Sequence, residues 1–518
     1  MKFNLFKGVH FLKVLAVVLL ILLTIAPVLY IFMGSIATTF KGNITIDYTS
    51  GMLLLFKSVL LNLGAMVLTI LFGLLSAICV WVFLEKYAVK IALGILMLIL
   101  LPPFIHTQSW IFFVDKLNSF LEQILGVALN FNGIFAVILT IAFSYLPITA
   151  GLCLIALLSI PSELSDMCRI DGGGKTAFLK IYLPFLYPAL CIGGLLVFLL
   201  SINDYGIPSV FGINVFVLEL YSRFSAGNSI YSVFLAGFPL FLLCATIMAL
   251  FGFYISRSNF SFSTMKCINP FKKEKFIKTP AVFGLVILVF FAIVPLFNLT
   301  YEAVRVKGAI AVLANSVNEI SYSAFISILA AVFSFIPALL FTYSFYKSKA
   351  RILFLGVAAL PFIISSPIAG LSLIKMWNTP LLSFVYRSPI MPAIALISRF
   401  AFVEAVILTV AISRLDKALI ENMALHYPGL FRFFKCMAQL IWKECLAGIL
   451  IVFALSMGEF GVTLLVTPPG YQTLTIKIYN YLHYGASEIV AVLCLFMLVV
   501  MLLILLLLFL LLKGEKNE

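Results

Sequence analysis

Leu164–Phe211 reads "LSDMCRIDGGGKTAFLKIYLPFLYPALCIGGLLVFLLSINDYGIPSVF", and Leu419–Val466 reads "LIENMALHYPGLFRFFKCMAQLIWKECLAGILIVFALSMGEFGVTLLV". Laid over one another without a gap, Asp166 meets Glu421, Gly174 meets Gly429 and Phe178 meets Phe433. Gly193 then meets Gly448, Ser201 meets Ser456, Asp204 meets Glu459 and Gly206 meets Gly461. Upstream, the Leu-Pro of Leu101–Pro102 returns at Leu360–Pro361. An internal repeat on this scale decides the architecture before any single element does, because a unit written twice folds twice.

Composition supplies the solvent. Of the 518 residues, 64% are hydrophobic and only 10% charged, where a soluble domain carries about 25% charged residues. Apolar runs of about 20 residues are long enough to cross a bilayer as helices. Val14–Met33 and Ile489–Leu512 are such runs without a charge. Ten more candidates lie near 57–83, 90–112, 133–158, 186–205, 231–255, 281–300, 322–346, 352–376, 392–413 and 446–466. The first run has a basic start (Lys2, Lys7, Lys13) but is too long for a signal-peptide core, so it reads as an uncleaved first helix.

The expected fold is therefore an all-α integral membrane protein of twelve spans. Residues 1–256 form a first six-helix repeat, 257–279 a basic cytoplasmic linker and 280–518 a second six-helix repeat. An even number of crossings keeps both copies the same way up, so the repeats are parallel, about an axis along the membrane normal. A path for a solute belongs between two such halves.

The net charge of +14 reads first as topology, because cytoplasmic loops retain Lys and Arg. With the N-terminus inside, the inner side collects Lys86, Lys90, Arg169, Lys175, Lys180, the linker cations and Lys347, Lys349, Arg351, Arg414, Arg432 and Lys435. Both termini and the "DGGGKT" strip are then cytoplasmic, and no nucleic acid is needed to explain the charge. The strip is not a phosphate-binding loop: that motif needs Gly where Arg169 stands, and a preceding strand rather than a long apolar run. The nine cysteines include no Cys-x-x-Cys pair and the four histidines show no ligand spacing, which predicts helix packing and no metal site.

The loop between the fourth and fifth spans mixes Met167, Ile170, Phe178, Ile181 and Leu183 with Asp166, Arg169, Asp171, Lys175 and Lys180. Such a strip either lies on lipid or docks a partner, and its return in the second copy favours docking by two equivalent partners. Its pattern resembles the cytoplasmic loop of permeases from binding-protein-dependent ABC importers, Glu-Ala-Ala-x-x-Asp-Gly followed by Ile-x-Leu-Pro. Asp166 stands for the Glu, Met167 and Cys168 for the alanines and Asp171–Gly172 for Asp-Gly, while Ile181, Leu183 and Pro184 close the motif one residue early. The second copy keeps Glu421 but has Asn422, Met423, His426 and Tyr427 at the next key places, and Gln439 for the proline.

The resemblance implies the type I importer permease fold. It makes Asp166, Arg169, Asp171, Gly172, Gly174 and Pro184 one coupling loop and Glu421, Asn422, His426 and Gly429 the other. Each loop would sit on one of two ATPase subunits, which use the ATP; the chain itself binds no cofactor and is not an enzyme. A periplasmic or lipid-anchored binding protein would deliver the solute at the cytoplasmic membrane. "LSINDYGIPSVFG" and "LSMGEFGVTLLVTPPGYQTLTIKIYNYLHYGA" are similar to fused permeases for ferric iron, thiamine and 2-aminoethylphosphonate. Ferric iron is the first expectation for cargo, with thiamine or phosphonate as alternatives.

Three acids remain. Asp204 and Glu459 each precede an aromatic residue and a glycine (Tyr205–Gly206, Phe460–Gly461) near matching span ends. They either line the mouth for a cation or cap a broken helix. Glu404 lies mid-span, five residues after Arg399, and meets Thr149 in the first copy. A mid-membrane carboxylate is costly, so it is either a proton site of a secondary carrier, the rival class, or an acid hydrogen-bonded between helices.

Overall fold

A computed structural model describes residues 14–19, 21–40, 48–100, 102–126, 131–170, 174–257, 271, 274–345, 355–356, 358–416, 418–419 and 439–513. Every regular element among them is a helix. Eight are long and apolar enough to cross a membrane: Val14–Phe40, Gly51–Phe83, Lys175–Ile202, Ile230–Leu250, Lys275–Arg305, Val317–Thr342, Met391–Arg414 and Glu488–Leu511. The pair Gly133–Ser144 and Leu146–Leu158, bent by 45°, makes a ninth if counted as one span.

The other three expected spans are interrupted or short, and the backbone gives the reasons. The run at 90–112 divides into α3 (Ala88–Met97), a 3-10 turn (Leu98–Leu100) and α4 (Pro103–Leu125). Pro102 there is extended, and Pro103, which has no N–H to donate, sits in the first turn, where none is needed. The run at 352–376 contains α15 (Leu360–Ile363) and α16 (Ser366–Trp377), each with a proline in its first turn. The run at 446–466 stops at Gly458 as α19 (Trp442–Gly458), because Glu459 turns to extended backbone.

The remaining elements are α1 (Ala26–Phe40), α2 (Tyr48–Phe83), α5 (Gly133–Ser144), α6 (Leu146–Leu158), α7 (Ser162–Ile170), α8 (Leu183–Ile202), α9 (Gly206–Val210), α10 (Phe216–Ser225) and α11 (Ile230–Arg257). Beyond these come α12 (Lys275–Arg305), α13 (Ala309–Ala314), α14 (Val317–Phe345), α17 (Ser383–Tyr386), α18 (Met391–Arg414), α20 (Thr463–Val466), α21 (Leu474–His483) and α22 (Ser487–Lys513). The stretch expected to be linker is in part helical, since α12 already begins at Lys275. Phe271, also in that stretch, is buried against Trp81, Phe178 and Tyr182.

Helices α2, α6 and α8 pack on one another, and so do α14, α18 and α19. Helix α1 lies against α11 and α16, whereas α12 lies against α2, α4 and α22. Without a hydrophobic driving force between helices in lipid, contacts of this kind rest on small residues that let backbones approach. A Cβ on Gly284 of α12 would fall on the Leu75 carbonyl of α2, and one on Gly73 of α2 would fall on Thr149 of α6. Serines tie the long helices to the short ones. The Phe216 N–H, opening α10, donates to Ser58 Oγ at 2.9 Å, and the Leu474 N–H, opening α21, donates to Ser323 Oγ at 2.7 Å.

Candidate functional site

Two helices break where their acids stand. Helix α8 ends at Ile202, and Asp204 Oδ1 accepts the Gly206 N–H at 2.8 Å, so that the chain restarts as α9. Helix α19 ends at Gly458, and Glu459 takes the Val462 N–H on Oε1 at 2.8 Å and the Thr463 N–H on Oε2 at 3.0 Å, starting α20. The hydroxyls of Thr463 and Thr475 donate to the Glu459 carbonyl at 3.2 and 3.0 Å. Both acids therefore cap broken helix ends, satisfying the N–H groups that a new helix leaves open.

The two breaks meet. The Tyr205 and Phe460 rings lie 5.5 Å apart, and Tyr479 of α21 lies against Phe460, tilted by 35° with centroids 4.3 Å apart. Asn203, which the sequence reading passed over, donates from Nδ2 to Leu199 O at 2.7 Å and to Ile363 O at 2.8 Å, fastening the end of α8 to the end of α15. Between these groups lies a cavity of about 200 Å³, lined by Tyr145, Asn203, Asp204, Tyr205, Arg399, Glu459, Phe460 and Tyr479 together with apolar side chains such as Phe362 and Phe400. Asp204, Tyr205, Glu459 and Phe460, singled out from sequence, are thus brought to one place, whereas Glu404 does not line it.

Arg399 is the residue the sequence undervalued. It stands nine residues into α18 and reaches the cavity. Among the described residues it has no ion pair, and its Nη1 is buried without a hydrogen-bond partner. The Tyr205 hydroxyl and Asp204 Oδ2 are likewise buried without a hydrogen-bond partner. Asp204 lies beyond the last residue of the α8 span, and burial pushes its carboxyl up to about 6, against the downward pull of the Gly206 and Ile207 N–H groups and the Tyr145 hydroxyl.

Glu404 belongs to a different arrangement. It is fully buried, and Ser334 Oγ of α14 donates to its Oε2 at 2.5 Å. Gly448 of α19 backs it so closely that an added Cβ would lie 3.2 Å from Glu404 Cγ. Thr149 is held in the same manner: its hydroxyl donates to Thr69 O of α2 at 2.8 Å, and a Cβ on Gly193 of α8 would lie 3.1 Å from its methyl. Glu404 is thus clipped to α14 through one oxygen, while its Oε1 is buried without a hydrogen-bond partner. Glu404→Gln is accordingly expected to stay folded, because the amide oxygen still accepts from Ser334, at a loss of about 1 kcal/mol. Glu404→Leu leaves that hydroxyl only the Ala331 carbonyl, 3.1 Å away, beside a poorly matched side chain, and should lower the thermal midpoint in detergent below that of the glutamine variant. Equal midpoints would remove the clip.

Of the first expected coupling loop, α7 presents Glu163, Asp166 and Met167 at the surface, with Met167 57% exposed. Cys168 on the same helix is fully buried, and Leu164 packs beside it against the cluster of α2, α3 and α6. Arg169 lies in the last turn of α7, Gly174 caps the turn Lys175–Ala177, and a π-turn (Phe178–Tyr182) leads into α8 with Pro184 in its first turn. Asp171, Gly172, Glu421, Asn422, His426 and Gly429 fall outside the described residues. Among the described residues no group of three His, Cys, Asp or Glu could hold a metal ion. No family model and no curated protein matches the chain.

Proposed function

We propose that this chain is the membrane-spanning permease subunit of a binding-protein-dependent ABC importer. The observation that carries the reading is α7, a short helix fixed from below by Cys168 and Leu164 while Glu163, Asp166 and Met167 stay exposed. It lies between the fourth and fifth spans, where the resemblance puts the helix that docks on an ATPase. In this reading the three interrupted segments complete twelve spans in two parallel copies. The paired serine ties of α10 and α21, and the paired Gly193–Thr149 and Gly448–Glu404 approaches, support that duplication.

Two ATPase subunits then engage the two loops, and their ATP-driven closure shifts the halves between inward- and outward-facing states. The permease sits in the cytoplasmic membrane with both termini inside, and a binding protein delivers the solute to the opposite face. On cargo, the resemblance and the cavity differ. The resemblance alone puts ferric iron first, ahead of thiamine or a phosphonate. The cavity holds two carboxylates, and three of their four oxygens already accept backbone N–H groups, a poor start for a hard cation that needs free oxygen donors.

The test is Met167→Glu, a change at an exposed site away from the buried anchors. ATP-driven uptake is expected to fall about tenfold, equivalent to about 1.4 kcal/mol of lost docking, with the thermal midpoint unchanged. Uptake that follows a proton gradient after ATP depletion, or that ignores the substitution, would overturn the reading.

A further inference from the structure

The geometry points to the cavity between the broken ends of α8 and α19 as a binding site for a small zwitterion, its anionic group held by Arg399 and its ammonium by Asp204. The proposal rests on the permease reading only in making the occupant a transported solute; binding itself needs neither ATP nor a partner.

The charges inside the cavity argue for it. A guanidinium carries five N–H donors, and one set inside an apolar span is expensive unless it is paired. Among the described residues Arg399 has no ion pair, and its Nη1 is buried and unsatisfied. Glu459 acts on it electrostatically, but both carboxylate oxygens of Glu459 already accept N–H groups. The buried, unpartnered Tyr205 hydroxyl lines the same space and offers a further donor to an anion.

On the acidic side, Asp204 holds Gly206 with one oxygen, and its buried Oδ2 makes no hydrogen bond, the Tyr145 hydroxyl being the protein donor near the carboxyl. Arg399 and Asp204 share one cavity yet form no ion pair with each other. A bare anion would fill the Arg399 donors and leave Asp204 Oδ2 unfilled; a bare cation would fill Asp204 Oδ2 and leave the Arg399 donors unfilled. A molecule carrying both charges answers both deficits. The aromatic lining of Tyr145, Phe400, Phe460 and Tyr479 adds faces on which an ammonium is favoured. A volume of about 200 Å³ admits a compact solute.

The experiment uses the purified chain alone in lipid nanodiscs, with thermal unfolding and equilibrium binding as readouts. The probes are glycine, β-alanine and 4-aminobutyrate, each beside its singly charged relatives (acetate, propionate and butyrate; methylamine, propylamine and butylamine). At least one zwitterion is expected to raise the midpoint and its two relatives not to. Arg399→Gln should abolish the effect, Arg399→Lys should weaken binding about tenfold by losing the forked geometry, and Asp204→Asn should weaken zwitterion binding. Carboxylates that bind as well as the zwitterions, no response to any probe, or a response retained in both Arg399→Lys and Asp204→Asn would each overturn the proposal. Because no ATPase is present, such a failure is separate from the Met167 result.

Discussion

Gly284→Ala is expected to separate α12 from α2 and to cost about 3 kcal/mol, the upper end of what overpacking usually does. The new Cβ would overlap the Leu75 carbonyl and lie 2.9 Å from Cys79 Cβ. A side chain can rotate out of the way, but a helix carbonyl cannot, so the whole of α12 must move. That helix also lies against α4 and α22, and the displacement would be felt in each contact. Gly94→Ala on α3 is the control, since nothing lies within 4 Å of its added Cβ and alanine favours a helix by about 1 kcal/mol. Thermal midpoints of the two variants in the same detergent should move in opposite directions. If Gly284→Ala behaves like Gly94→Ala, α12 and α2 are not in contact at that point.

Hydropathy makes the membrane character legible and blurs its breaks. A window average registers 90–112 and 352–376 as apolar runs, but Pro102, Pro103, Pro361 and Pro367 decide where the helices stop, and they lower an average very little. The acids at the breaks could be found because the repeat aligns Asp204 with Glu459, and the following glycines already pointed to a turn. Arg399 was visible only as a neighbour of Glu404. Its importance depends on the ninth residue of α18 arriving beside the ends of α8 and α19, a meeting that no spacing along the chain encodes. Tyr145 carried one faint signal, its place at a bend just before Pro147, and Tyr479 carried none. Glu404, the costliest residue by position, turned out to occupy the place that Thr149 fills with a neutral hydroxyl.

Glu459→Ala is expected to be far more damaging than Asp204→Ala, although the sequence sets the two acids at equivalent places. Glu459 accepts two backbone N–H groups with its two oxygens, and hydrogen bonds to a charged group contribute about 1.5–3 kcal/mol each. Its removal leaves the Val462 and Thr463 N–H groups buried without acceptors, for a combined loss of about 4 kcal/mol. Asp204 accepts the Gly206 N–H with one oxygen, so about half that loss follows. Unfolding midpoints in nanodiscs give the first comparison, and zwitterion binding to the folded fraction gives the second. The two readouts should rank the acids in opposite order, with Glu459→Ala the less stable and Asp204→Ala the weaker binder. Two acids serving a cation alike would instead show equal losses of binding and little change in stability. The inequality has a structural cause: Glu459 uses its whole carboxylate to start α20, whereas Asp204 starts α9 with one oxygen and leaves the other without a hydrogen bond.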